Sequence, residues 1–222
     1  MPKWRLMDSM GILKKAKELS SNSNVMVFGK PSSGKSTAVV QALAGKNVLW
    51  VAFANTNGLE AKHAAEWDVA RPVTWKEAKD DLVAGVITGR YEGYNAVVID
   101  GLHIPADMCL NHISLENSSS VEPSIDEPLV IQQNYWLIMG RSIQNMLALL
   151  NSKIGSVYVT VDVLPNAEGV YQIDLNRDLF GRIISQFGSK WYTYARPTDK
   201  GEIDYRVEKN SARAIRMQPA TG

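Results

Sequence analysis

Hydrophobic and polar positions along the chain change their period repeatedly, and the changes mark out alternating helices and strands. From Met7 to Leu19 apolar residues fall at 7, 10, 12, 13, 16 and 19, which predicts an amphipathic helix in the N-terminal segment 1–21, with Asp8 or Ser9 as its cap. Polar Ser20–Asn24 breaks it. The apolar run from Val25 then predicts a short strand, followed by a helix over Ser36–Leu43 that Gly45 closes. Asn47–Ala54 is apolar almost throughout, as suits a strand buried on both faces of a parallel sheet, and Asn55–Gly58 ends it with turn chemistry. Thr74–Val86 reads as a helix opened by a capping box, Thr74 with Glu77. Tyr94–Asp100 is another core strand. Leu129–Leu150 has a long helical pattern and Ile154–Val163 a strand pattern. Shorter strands are predicted at Gln172–Leu175, Trp191–Ala195 and Asp204–Val207, with a helix over Leu179–Gln186. This alternation predicts an α/β fold, a three-layer sandwich with a mostly parallel central sheet and right-handed crossovers.

The linkers carry the chemistry. Gly29, Lys30, Pro31, Ser32, Ser33, Gly34, Lys35 and Ser36 fill the pattern G-x-x-x-x-G-K-[ST], followed by Thr37, at a strand-to-helix junction. The glycines let successive backbone N–H groups curl toward phosphate oxygens, and the helix start adds the positive end of its dipole. Lys35 can reach the β- and γ-phosphates, and Ser36 offers a hydroxyl to Mg²⁺. In Tyr94–Asp100 an apolar strand delivers one carboxylate, Asp100, to its C-terminal edge, where it can hold the metal's water shell opposite the phosphate loop. The pattern predicts a nucleotide site at the carboxyl ends of the strands.

Composition narrows the picture. The 222 residues, 45% hydrophobic, suit a single domain over 1–222, and the net charge of +1 demands neither nucleic acid nor an anionic membrane. The charge is uneven: residues 1–46 hold eight Lys/Arg against two acids, 101–140 five acids and no Lys/Arg, and 176–222 nine Lys/Arg against five acids. Residues 103–128 are expected to form a flexible acidic loop, with the serine- and acid-rich Glu116–Glu127 in its second half, and 197–222 a basic C-terminal segment. One cysteine, Cys109, excludes an internal disulfide and suits a reducing compartment. No apolar run approaches the ~18 residues of a membrane span, and the N-terminus lacks a signal-peptide core, so a cytoplasmic protein is expected.

No N-K-x-D string is present, which argues against guanine and for ATP. His103, Asp107, Cys109 and His112 are all candidate zinc ligands, but their spacing fits no standard finger, and they are read as loop or helix residues after the Asp100 strand.

VFGKPSSGKST, a strand and turn ending NTNGLE, a TWKEA helix, AVVIDGL, a long helix containing QNYW, VYVTVDV and a basic YRVEKNSARAIR succeed one another along the chain. Over residues 22–216 this order resembles the RecA-like phage ATPases, including their single-strand annealing and recombination proteins. The two Walker motifs are its specific part. The resemblance implies a RecA-like P-loop core, ATP binding and hydrolysis with Mg²⁺, assembly into a filament or ring, and single-stranded DNA as partner in the host cytoplasm. It places Lys35 and Ser36 at the phosphate and metal positions, Asp100 as the Walker B acid, and Thr160 or Asp162 as the polar sensor of the γ-phosphate. The chain departs from the family at the water-activating glutamate. The strand end reads Ala54, Asn55, Thr56, Asn57, and the first acid is Glu60. Lys35, Asp100, Glu60 and Asp162 therefore form the expected catalytic set.

Arg206, Lys209, Arg213 and Arg216 are candidates for a cation offered to a neighbouring copy's γ-phosphate or to a phosphate backbone. DNA contact is expected from the loop after Val163, where Tyr171, Arg177 and Arg182 allow stacking and phosphate contacts. Two other classes fit the same motifs: a small-molecule kinase in which Arg177, Arg182 and Arg196 clamp a second nucleotide, and an ATPase serving a protein assembly.

Overall fold

A computed structural model of the chain describes residues 24–53, 66–117, 131–166, 169, 171–199 and 202–210. The predicted N-terminal helix, the Asn55–Gly58 turn, Glu60, Arg213 and Arg216 lie outside these residues.

The described chain is α/β with a mostly parallel central sheet. Strands β1 (Val25–Gly29), β2 (Val48–Ala52), β3 (Asp68–Ala70), β4 (Ala96–Asp100), β5 (Ser156–Pro165), β6 (Tyr171–Ile173), β7 (Ser189–Pro197) and β8 (Ile203–Lys209) form one sheet. Its order is β3-β2-β4-β5-β1-β7-β8, with β6 paired to the far end of β5. The pairings from β3 across to β7 are all parallel; β8 on β7 and β6 on β5 are antiparallel. β1, β2 and β4 are buried at every position, which is why they read as unbroken apolar runs.

Successive residues of these strands face opposite ways and so feed two cores. Met26, Phe28, Val97, Ile99, Val159 and Val161 pack under a helical layer. That layer comprises α2 (residues 75–87: Trp75–Glu77, the π-helical Ala78–Val83, and Ala84–Ile87), α3 (His103–Glu116), α4 (Gln133–Ile154) and α5 (Arg177–Ile183). Val25, Val27, Trp50, Ala96 and Val98 face the other way, onto α1 (Lys35–Ala42) and Trp67, whose ring stacks on Trp50 at 5.9 Å. Helices on both faces are compatible with a three-layer sandwich.

The predicted capping box is present. The Thr74 hydroxyl accepts from the Glu77 amide, and the Glu77 carboxylate accepts from the Thr74 amide. The expected loop over 103–128 needs correction in its first half, because residues 103–116 are the helix α3. Leu102, Ala106, Cys109, Leu110 and Ile113 recur at helical spacing and are all buried, so the apolar stripe outweighs the acidic composition. Residues 118–128 lie outside the described set.

Two long-range bonds fix the ends of the central strands. Asn24 donates to the Gln186 carbonyl at 2.9 Å, and its side-chain oxygen accepts from the Val157 amide at 3.0 Å. These bonds align the starts of β1 and β5, so that Gly29 at the end of β1 is level with Asp162, and β5 runs on to Pro165.

Candidate active site

The phosphate-loop pattern forms the loop between β1 and α1. Ser32 (φ 61°) and Gly34 (φ 85°) are both left-handed, and the Ser33 amide donates to the Lys30 carbonyl at 3.1 Å, so the loop curls over the end of β1. α1 has no acidic residue in its first turn to oppose the positive end of its dipole. Gly29 is required by packing: a Cβ there would stand 2.2 Å from both Ser33 Oγ and Thr193 Oγ1. The Thr193 hydroxyl donates to the Phe28 carbonyl at 3.1 Å, leaving Ser33 to donate to Thr193 at 2.7 Å. Thr193, midway along β7 and level with Gly29 at the end of β1, pins the loop to the sheet. Its contribution comes from a contact 160 residues distant, which local motif reading does not register.

Register brings the remaining groups together. Gly29 pairs with Asp162 on β5, and Ala52 with Asp100 on β4, so the acids rise at the carboxyl ends of neighbouring strands, beside the loop. Lys35 Nζ forms an ion pair with Asp162 and donates to the carbonyls of Gly29 at 3.2 Å and Lys30 at 3.0 Å. The Ser36 hydroxyl lies 3.2 and 3.1 Å from the two oxygens of Asp100. Thr160 and Asp162, the alternatives for one sensor position, have separate partners. The Thr160 hydroxyl donates to Asp100 and accepts from the Gly101 amide at 2.8 Å, whereas Asp162 holds Lys35.

Asp100 is buried, and burial pushes its carboxyl above the usual carboxylate range. The Thr160 and Ser36 hydroxyls and the Lys35 ammonium pull it back, while Asp162 raises it further. A second cation at Ser36 and Asp100 would relieve this strain on the charged form. A hydroxyl and a carboxylate side by side are oxygen donors of the kind Mg²⁺ takes, so the residues present fit that ion.

The flanking residues fall into place unevenly. Lys30 sits over the Tyr171 ring, 3.7 Å from its centroid, so this candidate DNA residue abuts the phosphate loop. Arg177 lines a cavity of about 420 Å³ with His103, Asp107, Trp136, Asp174 and Asp178. The Arg182 stem packs over Gly140 of α4, where a Cβ would approach its Cδ to 3.0 Å, and its Nε is buried. These two arginines are thus on α5 rather than on an open loop. Of the basic C-terminal set, Arg206 is paired with Asp204 at 2.7 Å, and Lys209 lies 4.4 Å over the Trp191 ring.

The His103, Asp107, Cys109 and His112 constellation is divided around α3, with only His103 and Asp107 on the cavity. Cys109 is buried and its thiol is pushed up to about 12 by that burial, while His112 pairs with Glu116 at 3.2 Å. Among the described residues no group of three or more His, Cys, Asp or Glu side chains could hold a metal ion. Among them, too, no helix is long and apolar enough to cross a membrane. No protein-family model matches the chain, and no curated protein matches it.

Proposed function

We propose that the chain is a Mg²⁺-dependent ATPase on a RecA-like P-loop core, of the phage type that acts on single-stranded DNA in recombination or annealing. The observation that carries the reading is the convergence of Lys35, Ser36, Asp100 and Asp162 beside a loop whose backbone is curled for anions. The loop amides and Lys35 would receive the phosphates, and Ser36 and Asp100 would hold Mg²⁺. That ion, when bound, neutralises charge between the β- and γ-phosphates. Thr160 orients the Asp100 carboxylate, and the Gly101 amide orients Thr160 in turn. Lys35 exchanges Asp162 for phosphate oxygen. The Asp162 carboxylate is then free to accept a proton from an attacking water at the open side of the cradle.

The Lys30–Tyr171 contact supports a link between the phosphate loop and the segment after β5, where strand binding is expected. Assembly into a ring or filament would bring Arg206 or Lys209 of one copy toward the cradle of the next, completing a site whose water-activating glutamate is not supplied by the strand end. ATP turnover measured with and without single-stranded DNA tests the reading. Stimulation, with DNA binding that weakens steeply as salt rises, is expected; neither appearing would sink the DNA assignment.

A second reading, a small-molecule kinase, is favoured by the 420 Å³ cavity beside the acids. Its wall residue Asp174 donates its amide to the Asp162 carbonyl at 2.8 Å, and His103 follows Asp100 by three residues. Phosphate transfer to a nucleoside or nucleotide panel would select it.

A further inference from the structure

We infer that the nucleoside end of the bound nucleotide lies on β8, with its base against the ring of Tyr205; this rests on the phosphate-cradle reading. Direction comes from the sheet order. The residues suited to Mg²⁺ and the terminal phosphate, Ser36, Asp100 and Asp162, stand on the β4 and β5 side of the loop. A nucleotide whose terminal phosphate is held there has its other end on the opposite side, toward β7 and β8.

On that side Tyr205 touches the cradle itself. A Cβ on Gly34 would stand 2.9 Å from Tyr205 Cδ1 and 3.4 Å from Cγ, so the ring edge rests against the residue that caps α1. Even so, Tyr205 is 54% exposed, which leaves ring surface open beside the loop. Its neighbours on the same strand face, Ile203 and Val207, are also exposed, at 61% and 39%. Asp204, Arg206 and Glu208 alternate onto the opposite face. The side of β8 toward the phosphate loop is therefore an apolar strip with an aromatic centre, and the other side is charged.

β7 confirms the facing. Tyr205 pairs with Ala195 and Val207 with Thr193, the residue whose hydroxyl reaches the loop. Gly34 has a second constraint besides its positive φ: any side chain would displace the tyrosine. An exposed aromatic face is the chemistry that holds a planar base, because every base presents a π-face on which a ring can stack. Ile203 and Val207, the described neighbours of Tyr205 on this face, offer no side-chain donor or acceptor to a base edge, so stacking favours nucleotides over bare polyphosphate without selecting one base.

The test is calorimetric titration of Mg·ATP and of Mg·tripolyphosphate into wild type, Tyr205→Phe, Tyr205→Ala and Lys35→Ala. Tyr205→Ala should weaken ATP about tenfold or more and leave tripolyphosphate within twofold, Tyr205→Phe should keep both affinities, and Lys35→Ala should weaken both. The triphosphate of 2-aminopurine riboside should lose fluorescence on binding wild type and keep it on binding Tyr205→Ala. Equal loss of ATP and tripolyphosphate in Tyr205→Ala would show that the ring only props the loop, and no loss of either would show that the base lies elsewhere; both overturn the inference. Binding of neither ligand to wild type would instead overturn the cradle reading on which it rests.

Discussion

Replacing Asp162 with asparagine should tighten nucleotide binding while slowing turnover, and the opposing signs separate two roles of one carboxylate. In the structure Lys35 is turned onto Asp162 and two backbone carbonyls, so an arriving phosphate must compete for its ammonium. The gross attraction of such a pair is about 4 kcal/mol at ~4 Å and an effective dielectric of ~20. Lys35 is 11% exposed and Asp162 26%, so desolvation offsets much of this and leaves a net of about 1–2 kcal/mol. Asparagine keeps the shape and removes the charge, together with its repulsion of incoming phosphate. At ~1.4 kcal/mol per tenfold, Mg·ATP should bind roughly 5–30 times more tightly to Asp162→Asn, read by calorimetry. The unliganded protein should lose about 1–2 kcal/mol in denaturant unfolding, while turnover at saturating ATP falls as the proton acceptor is removed. Unchanged or weaker ATP binding would refute the claim that Asp162 holds Lys35 against the anion.

Burial and close packing at Asp100, Gly29 and Cys109 have further consequences. Asp100 carries a carboxyl raised above its unfolded value, so the folded state binds the extra proton, and stability falls as pH rises from the ordinary aspartate range through the raised one. Asp100→Asn should flatten that slope and stabilise the unliganded protein at neutral pH by about 1 kcal/mol, measured by urea unfolding across pH, while removing the carboxylate proposed to hold Mg²⁺. Gly29→Ala places a methyl 2.2 Å from two hydroxyl oxygens; it should cost about 1–3 kcal/mol of stability by thermal unfolding and disorganise the loop. Cys109, with its thiol pushed up to about 12, should resist a thiol reagent in the native protein and react once urea unfolds it.

Where sequence and structure agree, the signal was local. The β4 run ending at Asp100 and the Thr74–Glu77 box could be read because each depends on residues within a few positions of one another. α3 has a legible apolar stripe, but the neighbouring serines and acids mask it in the composition, and Gly101 with φ 79° hides the abrupt turn from β4 into the helix. β3, three residues long and barely buried, carries no periodicity to detect. The division of labour between Thr160 and Asp162, the Thr193 brace and the approach of Tyr205 to Gly34 all depend on strand register across long chain separations. Motif spacing locates Lys35, Ser36 and Asp100; pairing across the sheet adds Thr193 and determines which atoms each one touches.

The central claim is that the loop from Gly29 to Thr37 is a working ATP cradle with Lys35 at its centre. ATP hydrolysis by purified wild type and Lys35→Ala, each shown to be folded by circular dichroism, tests this most directly. Mg²⁺-dependent turnover in wild type, abolished in a folded Lys35→Ala protein, is the predicted result; turnover that survives the substitution would contradict it.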